Sequence, residues 1–154
     1  MKDKKEIPVL CEAVTTYVPK VNPVNLPLVN AATDVVNLLL DSWDEVWHYE
    51  TFKVLLLNHS HRVLGVKTIG QGGIAMCPVD IKLVLQAAIT GNATNVIIVH
   101  NHPSGSTAPS EQDDILTQRI WQACKAVDVN LLDHVIIAGD GTYYGYADNG
   151  KIIN

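Results

Sequence analysis

Apolar positions in this chain follow two patterns, one with helical spacing and one of short continuous runs. Apolar residues three or four positions apart predict helices at residues 30–43, 80–90 and 111–127. Continuous apolar runs with turn residues at their ends predict strands at residues 52–57, 63–69, 94–100, 131–138 and 143–147. Strands interleaved with helices indicate a mixed α/β fold.

The first thirty residues differ in pattern from the rest of the chain. They contain four prolines, with a strand-like Val-Thr-Thr-Tyr-Val run at residues 14–18. We therefore expect an N-terminal extension with a strand at residues 1–30, followed by one domain at residues 31–154. Asn30 and Thr33 are the candidate caps of the first helix.

Composition and charge exclude several classes of protein. Acidic residues outnumber basic ones by 16 to 11, and a net charge of −5 disfavours tight binding to the phosphates of nucleic acid. No apolar run is long enough to predict a membrane span. The cysteines, Cys11, Cys77 and Cys124, are odd in number and lack metal-binding spacing, which favours a reducing cytoplasm over a disulfide framework.

The most informative segment is His-Asn-His-Pro-Ser-Gly-Ser-Thr-Ala-Pro-Ser-Glu-Gln-Asp at residues 100–113. Side chains alternate along a strand, so His100 and His102 project to the same side of the backbone and can bind one divalent metal. Asp113 can return to the same point if the intervening prolines and glycine form a tight loop. Two histidines and one carboxylate leave a fourth position for water, as catalytic zinc sites do.

Part of the same segment also has a purely structural interpretation. Ser110 followed three residues later by Asp113 is typical of a capping box at a helix start. Both interpretations can hold at once, because a helix N-terminus would fix Asp113 rigidly and favour its negative charge. A second pair at the same spacing, His59 and His61, lies among turn residues and is interpreted as loop histidines.

These residues resemble a known family. The pattern His100-x-His102-Pro103, six residues, Ser110-x-x-Asp113 matches the JAMM (MPN-plus) metalloprotease motif, and His-Asn-His-Pro-Ser-Gly with the later Leu-Asp-His at residues 132–134 resembles its RadC-like branch. The resemblance runs from about Ala31 to the C-terminus. It implies a JAMM/cytidine-deaminase-like architecture, a central mixed sheet flanked by helices.

The resemblance also implies roles for individual residues. His100, His102 and Asp113 would be zinc ligands, and Ser110 would stabilise the oxyanion of the tetrahedral intermediate. The family's general base is a glutamate from an earlier strand. Glu50 occupies the corresponding place, with Glu12 and Glu45 as alternatives.

The ligand histidines also need acceptors for their second ring nitrogens, a requirement of metal sites in general. Asp114 and Asp133 are the candidates, alongside backbone carbonyls.

The leading hypothesis is a zinc-dependent hydrolase acting on a peptide or isopeptide bond of a peptide or protein substrate. The alternative is a non-catalytic interaction module, which a ligand set without a nearby glutamate would favour. A third is a non-heme Fe(II) enzyme, which shares the ligand set but uses a jelly-roll barrel. RadC-like proteins usually carry an N-terminal helix-hairpin-helix region associated with DNA, for which residues 1–30 are too short. The sequence indicates no oligomeric state.

Overall fold

The computed structural model of the chain describes residues 14–18, 20–73 and 77–152. The helices are α1 (Ala32–Leu39), α2 (Ile81–Thr90) and α3 (Glu111–Lys125). The strands are β1 (Thr51–Leu57), β2 (Val63–Gln71), β3 (Asn95–Asn101), β4 (Asn130–Ile137) and β5 (Tyr143–Gly145). The predicted mixed α/β class is confirmed, and the predicted helices and strands of residues 31–154 are all observed.

The strands form one five-stranded mixed sheet in the order β2-β1-β3-β4-β5. Strand β1 is antiparallel to both β2 and β3, β3 is parallel to β4, and β4 is antiparallel to β5. Helix α3 connects the parallel pair β3 and β4, as a crossover between parallel strands requires. The central strand β3 is buried along its whole length.

The two faces of the sheet carry separate cores. Ile97 and Val99 of β3 pack in a cluster with α1, whereas Val96 and Ile98 pack with residues of α2 and α3. Because side chains alternate along a strand, even-numbered residues of β3 face α3 and odd-numbered ones face α1. This parity places His100 on the α3 face.

Helix α1 begins differently from the prediction. Its N-cap is Ala31 rather than Asn30 or Thr33, and the Asp34 carboxylate accepts hydrogen bonds from the backbone N–H groups of Asn30 at 2.8 Å and Ala31 at 3.0 Å. An acid in the first turn thus fixes the backbone that leads into the helix, and the N-cap residue itself makes no side-chain hydrogen bond. The helix continues as a 3-10 turn at Leu40–Ser42.

The strand predicted within the N-terminal extension is wrong. Residues 14–18 have exposed side chains and no strand structure. Strand-forming residues need a neighbouring strand to accept their backbone hydrogen bonds, and the nearest pairing is a single bridge between Leu28 and Arg62. Among the residues that the structure describes, no helix combines the length and apolar character needed to cross a membrane.

Candidate metal centre

The two histidines of the motif lie at the carboxyl end of β3. His100 belongs to the strand, and His102 continues it by donating its backbone N–H to the carbonyl of Ile137 at 3.0 Å. Their Nε2 atoms lie 2.9 Å apart. The predicted convergence of the two rings is therefore observed, with His100 buried and His102 partly open to solvent.

Asp113 reaches the same point from the first turn of α3. Its Oδ1 lies 3.2 Å from Nε2 of His100 and its Oδ2 lies 3.7 Å from Nε2 of His102. The predicted capping box is confirmed, since Oγ of Ser110 accepts from the backbone N–H of Asp113 at 3.1 Å. The Asp113 Oδ2 in turn accepts from both the N–H and the hydroxyl of Ser110, each at 2.7 Å.

The spacing of the two histidine nitrogens and the two oxygens of the Asp113 carboxylate suits a shared metal ion. Two atoms bound to one tetrahedral zinc at about 2.0–2.2 Å lie about 3.3–3.5 Å apart. The observed separations of 2.9, 3.2 and 3.7 Å bracket that value. His100, His102 and Asp113 together could hold a metal ion.

The electrostatics of the site favour an ionised carboxylate. Burial alone would raise the pKa of Asp113, but its contacts with the rings of His100 and His102 outweigh this effect and hold the pKa well below its usual range. Conversely, the hydrogen bond to Asp113 raises the pKa of His102, and the charge of Glu50 adds to this. The site therefore attracts positive charge, which a metal ion would supply.

The second nitrogen of each ring has a specific partner. Nδ1 of His102 donates to the backbone carbonyl of Ser106 at 2.6 Å, across a turn that Gly105 closes with a φ of +85°. Nδ1 of His100 lies 2.8 Å from Nε2 of His134. Both rings are thus oriented by a contact outside the ligand set, as metal-binding histidines require.

Asp114 and Asp133, the two acids proposed as these partners, have other roles. Asp114 pairs with Lys151 at 2.9 Å and accepts from the Tyr146 hydroxyl at 2.8 Å. Asp133 accepts from the backbone N–H groups of His134 and Ala147. Asp133 belongs to the opposite face of β4 from His134, so its side chain cannot reach the histidine rings.

Two further residues, Thr117 and His134, lie next to this cluster. The sequence analysis assigned neither of them a role, although His134 ends the Leu-Asp-His run at residues 132–134. Ile98 is the register partner of His134, so the parallel pairing gives His134 the same face as His100. Thr117 belongs to α3, and its hydroxyl oxygen lies 2.6 Å from Nδ1 of His134. The available signal was a histidine directly before the apolar run at residues 135–138, where the structure buries it completely.

Glu50 immediately precedes strand β1, which lies beside β3. Strand β1 pairs with β3 in a register that matches Phe52 with His100. Extending this antiparallel register by two residues places Glu50 opposite His102 and on the same face. The segment that carries Glu50 therefore lies directly alongside the strand that carries His100.

The two alternative acids differ from Glu50 in position. The Glu45 carboxylate accepts from the Gln71 amide at 2.9 Å, in an exposed contact, and does not line the cavity. Glu12 lies outside the described residues. Among the acids named in the sequence analysis, Glu50 and Asp113 line the cavity.

The cavity over the ligand atoms has a volume of about 650 Å³. Its walls combine ligand, acidic, polar and apolar side chains, namely Glu50, Phe52, Cys77, Val79, His100, His102, Pro103, Ser104, Ser110, Gln112, Asp113 and Leu116. This volume is within the range of about 300–1,000 Å³ that is usual for ligand-binding pockets.

The second histidine pair does not line this cavity. His59 and His61 lie in the turn between β1 and β2, as predicted, and belong to no metal-binding cluster within the described ranges. Cys77 and Cys124 are free thiols. Cys11 lies outside the described residues.

The segment that carries this site also matches a known protein family. A model of the RadC-like JAB domain matches residues 29–151 of the chain. This range contains every ligand candidate together with Glu50 and Ser110.

Relatives of similar sequence are described as UPF0758 proteins. One from Porphyromonas gingivalis is 39% identical over 109 residues, which cover 71% of this chain and 45% of that protein. One from Flavobacterium johnsoniae is 37% identical over 125 residues, covering 81% and 54%. The chain thus spans about half the length of these curated relatives. By the extent of the family match and these identities, the chain belongs to the RadC-like JAB domain family.

Proposed function

We propose that this domain is a zinc-dependent hydrolase that cleaves a peptide or isopeptide bond. The observation that carries the proposal is the convergence of two histidine nitrogens and one carboxylate beneath a cavity that Glu50 also lines. Three protein ligands with an open side are typical of catalytic zinc, whereas structural zinc has four.

Each residue would have a separate task in the reaction. His100, His102 and Asp113 would hold zinc, which supplies Lewis acidity to activate water and polarise a carbonyl. The Glu50 carboxylate would accept the proton of the attacking water and pass it to the leaving amine. Ser110 would donate its hydroxyl to the developing oxyanion.

The position of Ser110 adds a requirement to its role. Its hydroxyl hydrogen is directed to the Asp113 carboxylate at 2.7 Å, so it must rotate toward the substrate to stabilise an oxyanion. Rotation about one bond keeps Oγ in place as the helix cap, because capping uses the oxygen as an acceptor. Capping and oxyanion stabilisation are therefore compatible.

The structure bears differently on the two alternative functions. A non-catalytic module would be favoured by a ligand set with no glutamate nearby, and Glu50 in the same cavity supports the hydrolase instead. An Fe(II) oxygenase would share the ligands, but a single mixed sheet with helices on both faces is not a jelly-roll barrel.

The proposal is tested by metal analysis and cleavage together. Wild-type protein should contain one zinc per chain and release fluorescence from a pool of quenched peptides that includes lysine-linked isopeptides. Glu50→Gln should retain zinc and lose cleavage, because it keeps the side-chain shape and removes the base. Glu45→Gln is the matched control and should retain both.

Two results would contradict the proposal. Wild-type protein that binds no zinc would remove the metal site. Zinc-loaded protein that cleaves no member of the pool, or a Glu50→Gln variant with wild-type cleavage, would contradict the hydrolase mechanism and return the interaction module as the better hypothesis.

A further inference from the structure

A chain of buried hydrogen bonds leads from the backbone of Asp113 to the ring of His100. The Thr117 hydroxyl lies 2.6 Å from the carbonyl oxygen of Asp113 and 2.6 Å from Nδ1 of His134. Nε2 of His134 then lies 2.8 Å from Nδ1 of His100. Because the carboxylate of the same Asp113 lies against Nε2 of His100, the contacts form a closed ring.

The position of each proton in this chain follows from the first contact. A carbonyl oxygen can only accept, so the single hydrogen of the Thr117 hydroxyl is directed to Asp113. The contact between Thr117 and His134 must then use a hydrogen on Nδ1 of His134. In the neutral ring, Nε2 of His134 is left as an acceptor, and Nδ1 of His100 supplies the hydrogen between the two histidines.

The surroundings of His134 keep its ring neutral and in place. It is fully buried, and burial favours the neutral ring over the charged one. The ring of Tyr146 stacks on the His134 ring, with the two centroids 4.7 Å apart. The centroid of the Phe52 ring lies 6.0 Å from that of His134. A 180° flip of the ring would put carbon atoms where Nδ1 and Nε2 now lie and would break both contacts.

We propose that Thr117 and His134 are positioning residues that fix the tautomer of His100. They place the hydrogen of His100 on Nδ1 and leave the Nε2 lone pair directed toward His102 and Asp113, where a metal ion binds. The inference deepens the proposed function and rests on the metal site within it. Neither residue touches the metal.

The two ligand histidines differ in how their tautomers are set. His102 donates its Nδ1 hydrogen to a backbone carbonyl, that of Ser106, which no side-chain substitution removes. His100 depends on two side chains from different elements, α3 and β4. Affinity for metal should therefore respond to substitutions at Thr117 and His134, which lie behind the ligand.

Substitution of Thr117 provides the first test, with zinc affinity measured by competition with a chelator. Thr117→Val keeps the shape but removes the hydroxyl, so Nδ1 of His134 loses its acceptor and its tautomer is no longer determined. We expect zinc affinity to fall about 10- to 100-fold, the usual effect of losing such a partner. Thr117→Ser keeps the hydroxyl and should retain wild-type affinity, although it also removes a buried methyl group.

Substitution of His134 provides the second test. His134→Phe keeps an aromatic ring but offers no acceptor, and it should weaken zinc binding by a similar factor. His134→Gln retains one acceptor and one donor and should recover part of the affinity. Cobalt substitution adds a spectroscopic measurement, since a changed ligand geometry alters the visible absorption of bound Co²⁺ whereas a loss of stability alone does not.

The outcomes separate this inference from the proposed function. If the wild type binds zinc and Thr117→Val and His134→Phe bind it equally well, the positioning roles are wrong and the metal site stands. Equal weakening by Thr117→Ser and Thr117→Val would show that packing, not the hydroxyl, matters. Wild-type protein without zinc would overturn both proposals.

Discussion

The side-chain oxygen of Asn101 accepts a hydrogen bond of 2.7 Å from the backbone N–H of Thr51. The amide nitrogen of the same side chain donates to the carbonyls of Val46 and Tyr49, each at 2.7 Å. Asn101 is fully buried and lies between the two ligand histidines in sequence, but on the opposite face of β3. It therefore fixes the backbone on both sides of Glu50.

This arrangement predicts that Asn101→Ala disturbs the acid without touching the metal. The variant leaves one buried N–H and two carbonyls without a partner, at a cost of about 2 kcal/mol or more in the free energy of unfolding. We expect zinc content to persist while kcat falls and amide exchange at Thr51 accelerates. Urea unfolding, elemental analysis, steady-state kinetics and hydrogen exchange measure the four effects.

Asn95 provides a matched control at the other end of β3. It is also buried, and its amide donates to the carbonyl of Asn58 at 2.9 Å, away from the cavity. Asn95→Ala should lower stability comparably while leaving kcat and Thr51 exchange unchanged. If both variants lose activity in proportion to stability, Asn101 has no specific connection to Glu50.

The convergence of the three candidate ligands was predictable because the information is local in sequence. His100 and His102 alternate on one strand, and the Ser110 to Asp113 capping box fixes the carboxylate at a helix start. The residues that orient His100 were not predictable from the sequence. His134 contacts His100, and Thr117 contacts His134, only because α3 and β4 pack against β3. Their identity depends on strand order and register, which no local pattern specifies.

Removal of Ser110's hydroxyl should affect stability and catalysis separately. Ser110→Ala loses the helix cap, at about 1 kcal/mol in the free energy of unfolding. If the hydroxyl also stabilises the oxyanion, kcat should fall on the order of 100-fold with a smaller change in KM. Denaturant unfolding and steady-state kinetics on a cleaved peptide provide the two values.

A second helix cap provides the comparison for Ser110. Asp80 caps α2 by accepting the backbone N–H of Lys82 at 2.9 Å and does not line the metal cavity. Asp80→Ala should lower stability by a similar amount and leave kcat unchanged. An unchanged kcat in Ser110→Ala as well would restrict Ser110 to its structural role.

Metal removal should lower the thermal stability of the wild-type protein. A ligand that binds only the folded state at one hundred times its Kd adds about 2.7 kcal/mol, which for a domain of this size raises Tm on the order of 5–10 °C. A chelator should reverse the rise. The double variant His100→Ala/His102→Ala should show no response to zinc, as measured by calorimetry.

The other histidine pair at the same spacing tests whether this response is specific. His59 and His61 lie in the turn between β1 and β2, and His61 has a φ of +59°, which asparagine also tolerates. His59→Asn/His61→Asn should therefore respond to zinc as the wild type does. Loss of the response in this variant would place the stabilising metal outside the proposed centre.

Asp133 should make the folded state less stable as the pH rises. Its carboxyl is buried, which raises its pKa to about 6, and the neighbouring charge of Asp148 contributes to the rise. The two carboxylates flank Gly145, where an added Cβ would lie 3.3 Å from Oδ2 of Asp133 and 3.0 Å from Oδ2 of Asp148. The folded state therefore binds a proton that the unfolded state releases near pH 4.

Asp133→Asn should remove this dependence on pH. Since the folded pKa is above the unfolded one, the stabilising contribution of the protonated carboxyl is complete below about pH 4 and is lost as the pH rises through about 6. Asparagine keeps the acceptor for the N–H groups of His134 and Ala147 and carries no charge. Relative to the wild type, the free energy of unfolding of the variant should rise across that interval by an amount on the order of 2 kcal/mol. It should remain higher by this amount at higher pH. Urea unfolding of both proteins from pH 4 to 8 measures the difference, and a difference that is constant over this range would show that Asp133 titrates normally in the folded state.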